Sequence, residues 1–420
     1  MDVVTPVDWI EAHATVDYDR PALLFADGTV SYGQLADEVR RAAGSLVREA
    51  PKHQTLPVPV RLDLPSIVAV LAAQAVGACP LPYTSELPAV ALPPPLDAVI
   101  ALATSGTAGQ PKVVPLTMAN LSASVAASGQ RLSTSGDDRW LLCMPLNHIG
   151  GLSVLFRMFE AGGEVVVAPF DEHIGEVIHR SRPTVASFVP TMVYRLLAGT
   201  DVDTLASINT VLVGGARLDE VVARRAATSG AALVPTYGMT EASSQVATGM
   251  PGQPCGVPGY VGLPLEGFTV EIDASGRIVV DGPAMFAGYL GEERRSGAFR
   301  TNDLGSLDEE GGLTVLGRSD DIAVSGGENV SLSYVESHIR DVDGVQDAAV
   351  VAVPDMEWGS VVCGMVVSDI GVQDVAEQLA GRLDLHEIPK RWITVESIPL
   401  LTNGKQDVVT IRTAFPVSVD

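Results

Sequence analysis

Short apolar runs alternate along this chain with segments whose apolar residues recur at helical spacing. Phe25-Ala-Asp-Gly-Thr-Val-Ser-Tyr32 sets two β-prone runs on either side of Asp27-Gly28, a pair suited to a tight hairpin turn. Leu35, Val39, Ala42, Ala43 and Leu46 follow at the spacing of one helical face, which predicts a helix over 33–47. A more apolar helix is predicted after Pro65, within the stretch from Arg61 to Tyr83, and ended by Gly77 and Pro80. Ala98-Val-Ile-Ala-Leu-Ala103 reads as a buried strand, and Asn120 to Gln130 as a helix rich in Ala and Ser. From Trp140 to Phe156 the pattern gives a buried strand, a turn and an apolar helix. Strands at 163–168, 185–189, 210–213 and 233–234 then alternate with helices at 174–180, 191–197 and 218–227. Such alternation predicts a largely parallel sheet with helices on both faces, whose ligands bind beyond the carboxyl ends of the strands.

After Glu271 the pattern changes to short strands joined by Gly-rich turns, at 270–272, 277–280 and 313–316, which suggests a small β-barrel-like subdomain. The last hundred or so residues form a separate small α/β unit. It has helices at 333–340 and 372–383, strands at 348–353 and 361–367, and a closing stretch from Pro389 to Lys405.

A chain of 420 residues exceeds the usual limit of a single core, so two or more domains are expected. A net charge of −24 argues against a nucleic-acid partner, because phosphate backbones are held by surplus Lys and Arg. Cys79, Cys143, Cys255 and Cys363 lie far apart without a Cys-x-x-Cys pair, so buried thiols are expected rather than a zinc site or a disulfide framework. The N-terminus lacks the basic and apolar regions of a signal peptide, and no run approaches the length of a membrane span, so a cytoplasmic location is expected.

Candidate chemistry begins directly after the apolar run ending at Ala103, in Thr104-Ser-Gly-Thr-Ala-Gly-Gln-Pro-Lys112. Gly106 and Gly109 let backbone N–H groups approach an anion, Thr104, Ser105 and Thr107 add hydroxyls, and Lys112 adds a full positive charge. Pro111 before the lysine and Val113 after it exclude the Walker A pattern. Two more candidate loops follow strands: Gly214-Gly215-Ala216, which admits a flat ring close to the backbone, and Pro235-Thr-Tyr-Gly-Met-Thr-Glu241, whose Tyr237 offers a stacking surface.

These segments resemble the signature motifs of the adenylate-forming superfamily of acyl- and aryl-CoA synthetases, adenylation domains and luciferases. The resemblance covers nearly the whole chain, with Ala108, Val113 and Asn302 standing where other residues are usual. It implies an α/β multidomain architecture: a large N-terminal adenylation domain (1–317), a hinge (318–321, with Asp320 as its pivot), and a small mobile C-terminal domain (322–420). Relatives have a further strand and helix before the phosphate loop where this chain has only Thr84 to Pro95, so a shortened first subdomain is expected. ATP, Mg²⁺ and CoA are the implied cofactor and co-substrates.

By the same resemblance, Gly215 and Tyr237 flank adenine, with Gly214, Ala216, Thr236, Gly238 and Met239 in the same nucleotide-binding loops. Thr240 meets phosphate, and Glu241 holds the magnesium ion. Asp303, in Phe299-Arg-Thr-Asn-Asp303, and Arg318, in Gly317-Arg318-Ser-Asp320, meet the ribose. Lys405, in Thr402-Asn-Gly404-Lys405, bridges carboxylate and α-phosphate during adenylation, although the basic residue usual just after it is absent. Ser325-Gly326-Gly327-Glu328-Asn329 resembles the loop that lines the thiol tunnel in the second half-reaction, and His148 the residue that closes the acyl pocket.

Four patches, at 144–157, 189–197, 237–248 and 325–330, resemble the o-succinylbenzoyl-CoA synthetases of menaquinone biosynthesis, with Asn147 in place of the usual Phe. That substrate carries a second carboxylate, for which Arg195 is the candidate cation, with Ser243, Ser244, Gly214 and Gly238 as neighbours. Other aryl- or acyl-CoA ligases, loading of a carrier-protein thiol, and a nucleotide-binding pseudoenzyme remain alternatives at this stage, and a homodimer stays open.

Overall fold

The computed structural model describes residues 5–46, 54–84, 97–104, 112–198, 203–218, 220–253, 259–319, 321–356, 358–401 and 406–415. They fall into two compact units. The first comprises Met1–Ile272, Val279–Arg300 and Leu307–Thr314; the second comprises Asp273–Ile278, Thr301–Ser306 and Val315–Asp420.

The first unit is built on strands in the spatial order Gly28–Ser31, Pro21–Phe25, Glu164–Val167, Arg139–Leu142, Val185–Phe188, Thr210–Val213, Leu233–Met239, Ser244–Thr248 and Tyr260–Pro264. Pairing is parallel from Pro21–Phe25 through Leu233–Met239 and antiparallel at both flanks. The expected hairpin forms, but its turn is Ala26-Asp27 rather than Asp27-Gly28, because Gly28 already pairs with Phe25. Leu141, Val166, Ala186, Val211 and Leu233 point to one face, where they pack on Ile174, Ile178, Met192, Val193, Val222 and Ala226 from three helices. Trp140 and Leu142 alternate to the opposite face, where the helix Ile149–Ala161 lies.

Thr55–Pro59 and Cys79–Tyr83 pair in parallel across the helix Leu64–Ala75, whose N-cap Asp63 accepts a bond from the Ser66 N–H at 2.9 Å. Of the stretch Thr84 to Pro95, where the shortened first subdomain is expected, all but Thr84 lies outside the described residues.

Two expectations are corrected. The strand Ala98–Thr104 pairs with an antiparallel strand, Lys112–Thr117, so the lysine expected to hold phosphate opens a strand. Pro115 within it masked the strand pattern, because proline normally argues against a ladder position. The stretch expected as a loop after Val234 instead continues as strand to Met239, held by antiparallel pairing of Thr236 with Thr248 and Tyr237 with Ala247. Cross-strand partners overrode the local signal of Pro235 and Gly238.

In the second unit, Val345–Asp355 pairs antiparallel with Gly359–Ser368, which pairs in parallel with Arg391–Thr394. Alternation along these strands divides the side chains: Ala348, Val350, Val362 and Val366 pack under the helices Leu332–Arg340 and Val372–Leu379. Ala349, Val351, Val361 and Cys363 pack instead against Ile411 and Phe415. The helix expected over 372–383 stops at Leu379, because Ala380 is extended and Gly381 has φ +99°. A short helix, Val408–Thr413, was not expected; Asp407 caps it by accepting from the Thr410 N–H at 3.1 Å.

Cys79, Cys143 and Cys363 are free and buried, and burial pushes their thiols up to about 12, 12 and 11. Among the described residues no helix is long and apolar enough to cross a membrane.

Candidate functional site

In the first unit one connected set of side chains joins two of the expected residues. Lys112 Nζ lies 2.9 Å from Glu292 Oε1 and 4.4 Å from the centre of the Tyr289 ring. The Tyr289 hydroxyl donates to Glu241 Oε1 at 2.8 Å. Burial first, and the neighbouring Glu241 second, raise the Tyr289 phenol well above its ordinary range, so it stays a donor. The backbone fixes the same arrangement, because the Phe286 N–H donates to the Glu241 carbonyl at 2.7 Å and the Leu290 N–H to the Val113 carbonyl at 2.8 Å. Residues 286–292 therefore strap the lysine strand to the turn that carries Glu241.

Tyr289 and Glu292 escaped sequence reasoning. The available signal was the pair of glycines around the tyrosine, Gly288 and Gly291, which adopt φ +137° and +84° and so mark a shaped turn.

Glu241 sits in the 3₁₀ turn Thr240–Ala242. The chain then takes two unusual residues in succession, Ser243 at φ +55° and Ser244 at φ +120°. Hydroxyls hold this bend: Ser243 Oγ donates to the Ala284 carbonyl and Ser124 Oγ to the Ser243 carbonyl, both at 2.8 Å. Backbone strain of this kind costs about 1–3 kcal/mol per residue and persists only where surrounding contacts enforce it. Gly238 is tied to the same bend, since a Cβ there would lie 1.9 Å from the Ser244 carbonyl oxygen.

The neighbouring expected residues are brought close by backbone packing. A Cβ on Gly214 would lie 2.8 Å from Thr236 Cγ2, so the glycine lets the loop of Gly214, Gly215 and Ala216 approach the strand carrying Tyr237. Gly215 has φ +82°, and both it and Ala216 are exposed. Tyr237 is buried, Gly238 exposed, and Met239 and Thr240 half-buried. Behind them Thr236, Thr248, Gln245 and Ser128 form a buried polar network, with Ser128 Oγ donating to Gln245 Oε1 at 2.6 Å.

His148 is half-buried at the N-cap of the helix Ile149–Ala161, beside an Asn147 Oδ1 that is buried without a hydrogen-bond partner. Arg195, expected in the acyl pocket, is exposed on the helix Pro190–Ala198. A different arginine is buried: Arg157, 3% exposed, donates to Ser244 Oγ at 3.0 Å. Its signal in the sequence is a lone cation inside the apolar run Leu155-Phe156-Arg157-Met158-Phe159.

In the second unit Arg318 Nη1 lies 3.2 Å from Asp303 Oδ1, so these two expected residues are neighbours. Gly326 and Gly327 form the turn between Ile322–Ser325 and Glu328–Ser331, with φ +61° and +90°. Those angles are what a two-residue hairpin demands. Gly326 meets a further constraint, since a Cβ there would lie 2.7 Å from the Trp358 ring, whereas one on Gly327 meets only open space. Glu328 is exposed. Thr104 Oγ1 donates to the Lys112 carbonyl at 3.3 Å. The expected residues Ser105, Gly106, Thr107, Gly109, Asp320 and Lys405 lie outside the described residues.

The AMP-binding enzyme model matches residues 85–290, and the AMP-binding enzyme C-terminal domain model matches 334–405. The chain belongs to the AMP-binding enzymes and is an ATP-dependent, AMP-forming acid–thiol ligase, making an acyl-adenylate and then a thioester. Among its relatives, the 2-succinylbenzoate–CoA ligase of Bacillus licheniformis is 35% identical over 328 residues, 74% of this chain and 68% of that protein. The o-succinylbenzoate CoA synthetase of Bacillus subtilis, solved with its acyl-adenylate intermediate, superposes with a TM-score of 0.84 at 26% identity, covering 96% of this chain and 97% of that one. MatB of Rhodopseudomonas palustris, solved with ATP, gives 0.84 at 25% identity, with 96% and 98% covered.

Proposed function

We propose that this enzyme converts o-succinylbenzoate, with ATP and CoA, to o-succinylbenzoyl-CoA in the cytoplasm. The observation that carries the reading is the 35% identity to a ligase named for that acid, over most of both chains. The joined pair of Lys112 and Glu241 supports the first half-reaction.

A carboxylate attacking the α-phosphorus of ATP approaches heavy negative charge, so catalysis is mainly positioning and electrostatic relief. Lys112 takes the β- and γ-phosphates. Its partner Glu292 gives way readily, because the pair is about half exposed, at 48% and 52%, and such surface pairs contribute only about 0–1 kcal/mol. Glu241 would hold a magnesium ion: its carboxylate is a hard oxygen donor, and the Tyr289 hydroxyl on Oε1 fixes its orientation. When bound, that ion supplies charge neutralisation at the phosphate oxygens. Asp303 and Arg318 hold the ribose, and Lys405 stabilises the charge where the acid attacks. In the second half-reaction the C-terminal part turns about Asp320, withdraws Lys405 and presents the Gly326–Glu328 turn to the thiol, with His148 closing the acyl pocket.

The test is a coupled assay of o-succinylbenzoate with ATP, Mg²⁺ and CoA, read by AMP release and thioester absorbance. Turnover with CoA is expected. Absence of turnover with CoA but activity with a phosphopantetheinyl carrier protein overturns the choice of thiol, and pyrophosphate exchange with other acids only overturns the choice of acid.

Tyr289→Phe keeps the ring under Lys112 and deletes only the hydroxyl on Glu241. Groups that orient a metal ligand typically contribute about 10–100-fold in metal affinity, so the Mg²⁺ concentration for half-maximal pyrophosphate exchange is expected to rise about tenfold. An unchanged Mg²⁺ titration would detach Tyr289 from the metal site.

A further inference from the structure

Arg157 is the most deeply buried arginine among those whose exposure bears on the site, at 3%. Its described contacts are few. Nη2 donates to Ser244 Oγ at 3.0 Å, Cζ lies 5.2 Å from the centre of the Trp140 ring, and Nε is buried without a hydrogen-bond partner. The chain has 51 acidic residues, yet among the described residues none forms an ion pair with Arg157. Burial alone pushes its guanidinium down to about 9, still charged at neutral pH. A buried cation without an anion is strongly disfavoured, and Trp140 together with one hydroxyl compensates it only in part.

The surroundings of this cation belong to the candidate site. Ser244 Oγ, which accepts from Arg157, donates in turn to Ser153 Oγ at 3.3 Å, and Ser153 lies one helical turn before Arg157 on the same face. Ser244 ends the bend that begins at Glu241, and its carbonyl abuts the exposed Gly238. The helix carrying Ser153 and Arg157 is the one His148 caps. A cluster of one cation and two hydroxyls therefore adjoins the bend that follows Glu241.

We propose that Arg157 determines acid specificity: its guanidinium, with Ser244 and Ser153, receives a second, distal carboxylate of the acid being activated. The assignment rests on the acid-activating reading above and moves the distal subsite from the exposed Arg195 to a buried cation. A monocarboxylate leaves Arg157 uncompensated, whereas a dicarboxylate neutralises it, so discrimination arises from the cost of the unpaired charge.

The test compares o-succinylbenzoate with 4-oxo-4-phenylbutanoate, the same acid without its ring carboxylate, and runs glutarate against butyrate and phthalate against benzoate in parallel. kcat/KM with ATP and CoA is measured for wild type, Arg157→Met, Arg157→Lys and Arg195→Ala. Wild type is expected to prefer the dicarboxylate of its best pair by about 10⁴-fold, on the scale of sites that leave a polar group unpaired. Arg157→Met is expected to bring that ratio to within a few-fold of one, and Arg157→Lys to restore part of it. Methionine replaces an unpaired buried charge by an apolar group of similar length, so thermal melting of Arg157→Met should not fall. An unchanged ratio in Arg157→Met, an equal loss on both members of a pair, or a loss of selectivity in Arg195→Ala instead would overturn the assignment. If wild type prefers another dicarboxylate and Arg157→Met erases that preference, Arg157 stands and o-succinylbenzoate falls. If wild type prefers the monocarboxylates, the Arg157 assignment falls while acid activation stands.

Discussion

Glu241→Ala is expected to leave the fold intact and cut acyl-adenylate formation by about 10³-fold, the upper end of what one preorganised electrostatic group contributes. The fold should survive because the turn is held through the backbone: the Glu241 carbonyl takes the Phe286 N–H, and the bend after it rests on Ser243 and Ser124. The carboxylate itself has one described side-chain partner, the Tyr289 hydroxyl. Its removal therefore affects charge at the phosphates far more than packing. Pyrophosphate exchange measures the loss, and a thermal melt verifies the fold. A second measurement sharpens the assignment: once Glu241 is alanine, Tyr289→Phe should have no further effect, because the hydroxyl then orients nothing. A loss below about tenfold, or full additivity of the two substitutions, would remove Glu241 from the metal role.

The second large effect concerns Lys405→Ala, expected to lower adenylation by about 10³-fold while thioester formation from supplied acyl-adenylate changes only a few-fold. The reasoning is electrostatic. A lysine between the attacking carboxylate and the α-phosphate matters where charge develops in the first transition state, and once pyrophosphate has left, that charge is gone. Synthetic o-succinylbenzoyl-AMP with CoA isolates the second step. Equal losses in the two half-reactions would show that one arrangement serves both, and would rule out exchange of one lysine-bearing surface for another.

Much of the architecture was legible wherever a local pattern and its tertiary context agree. The runs either side of Asp27 pair as a hairpin, Pro65 marks the start of a helix, and the alternating runs from Trp140 to Val234 lay out the parallel sheet. Legibility failed where partners distant in sequence decide. Lys112–Thr117 is a strand despite Pro115 because Ala98–Thr104 lies beside it, and Leu233–Met239 runs past Pro235 because Ser244–Thr248 folds back on it. The same holds for the site. Lys112, Glu241, Asp303 and Arg318 were visible because each sits in a compact signature. Tyr289, Glu292 and Arg157 were not, since their meaning lies in whom they touch. Arg195 and Arg157 show the difference: both are arginines on helices near a signature, and only burial tells them apart.

The contact between Lys112 and Glu292 has a consequence for how nucleotide affinity responds to ionic strength. With Lys112 in the proposed phosphate role, its tethered counter-ion means that ATP arrival exchanges one ionic partner for another rather than neutralising a bare charge. Added salt weakens both the incumbent and the incoming contact, so the slope of affinity against salt is the difference between two screening terms and is shallower than an unpaired lysine would give.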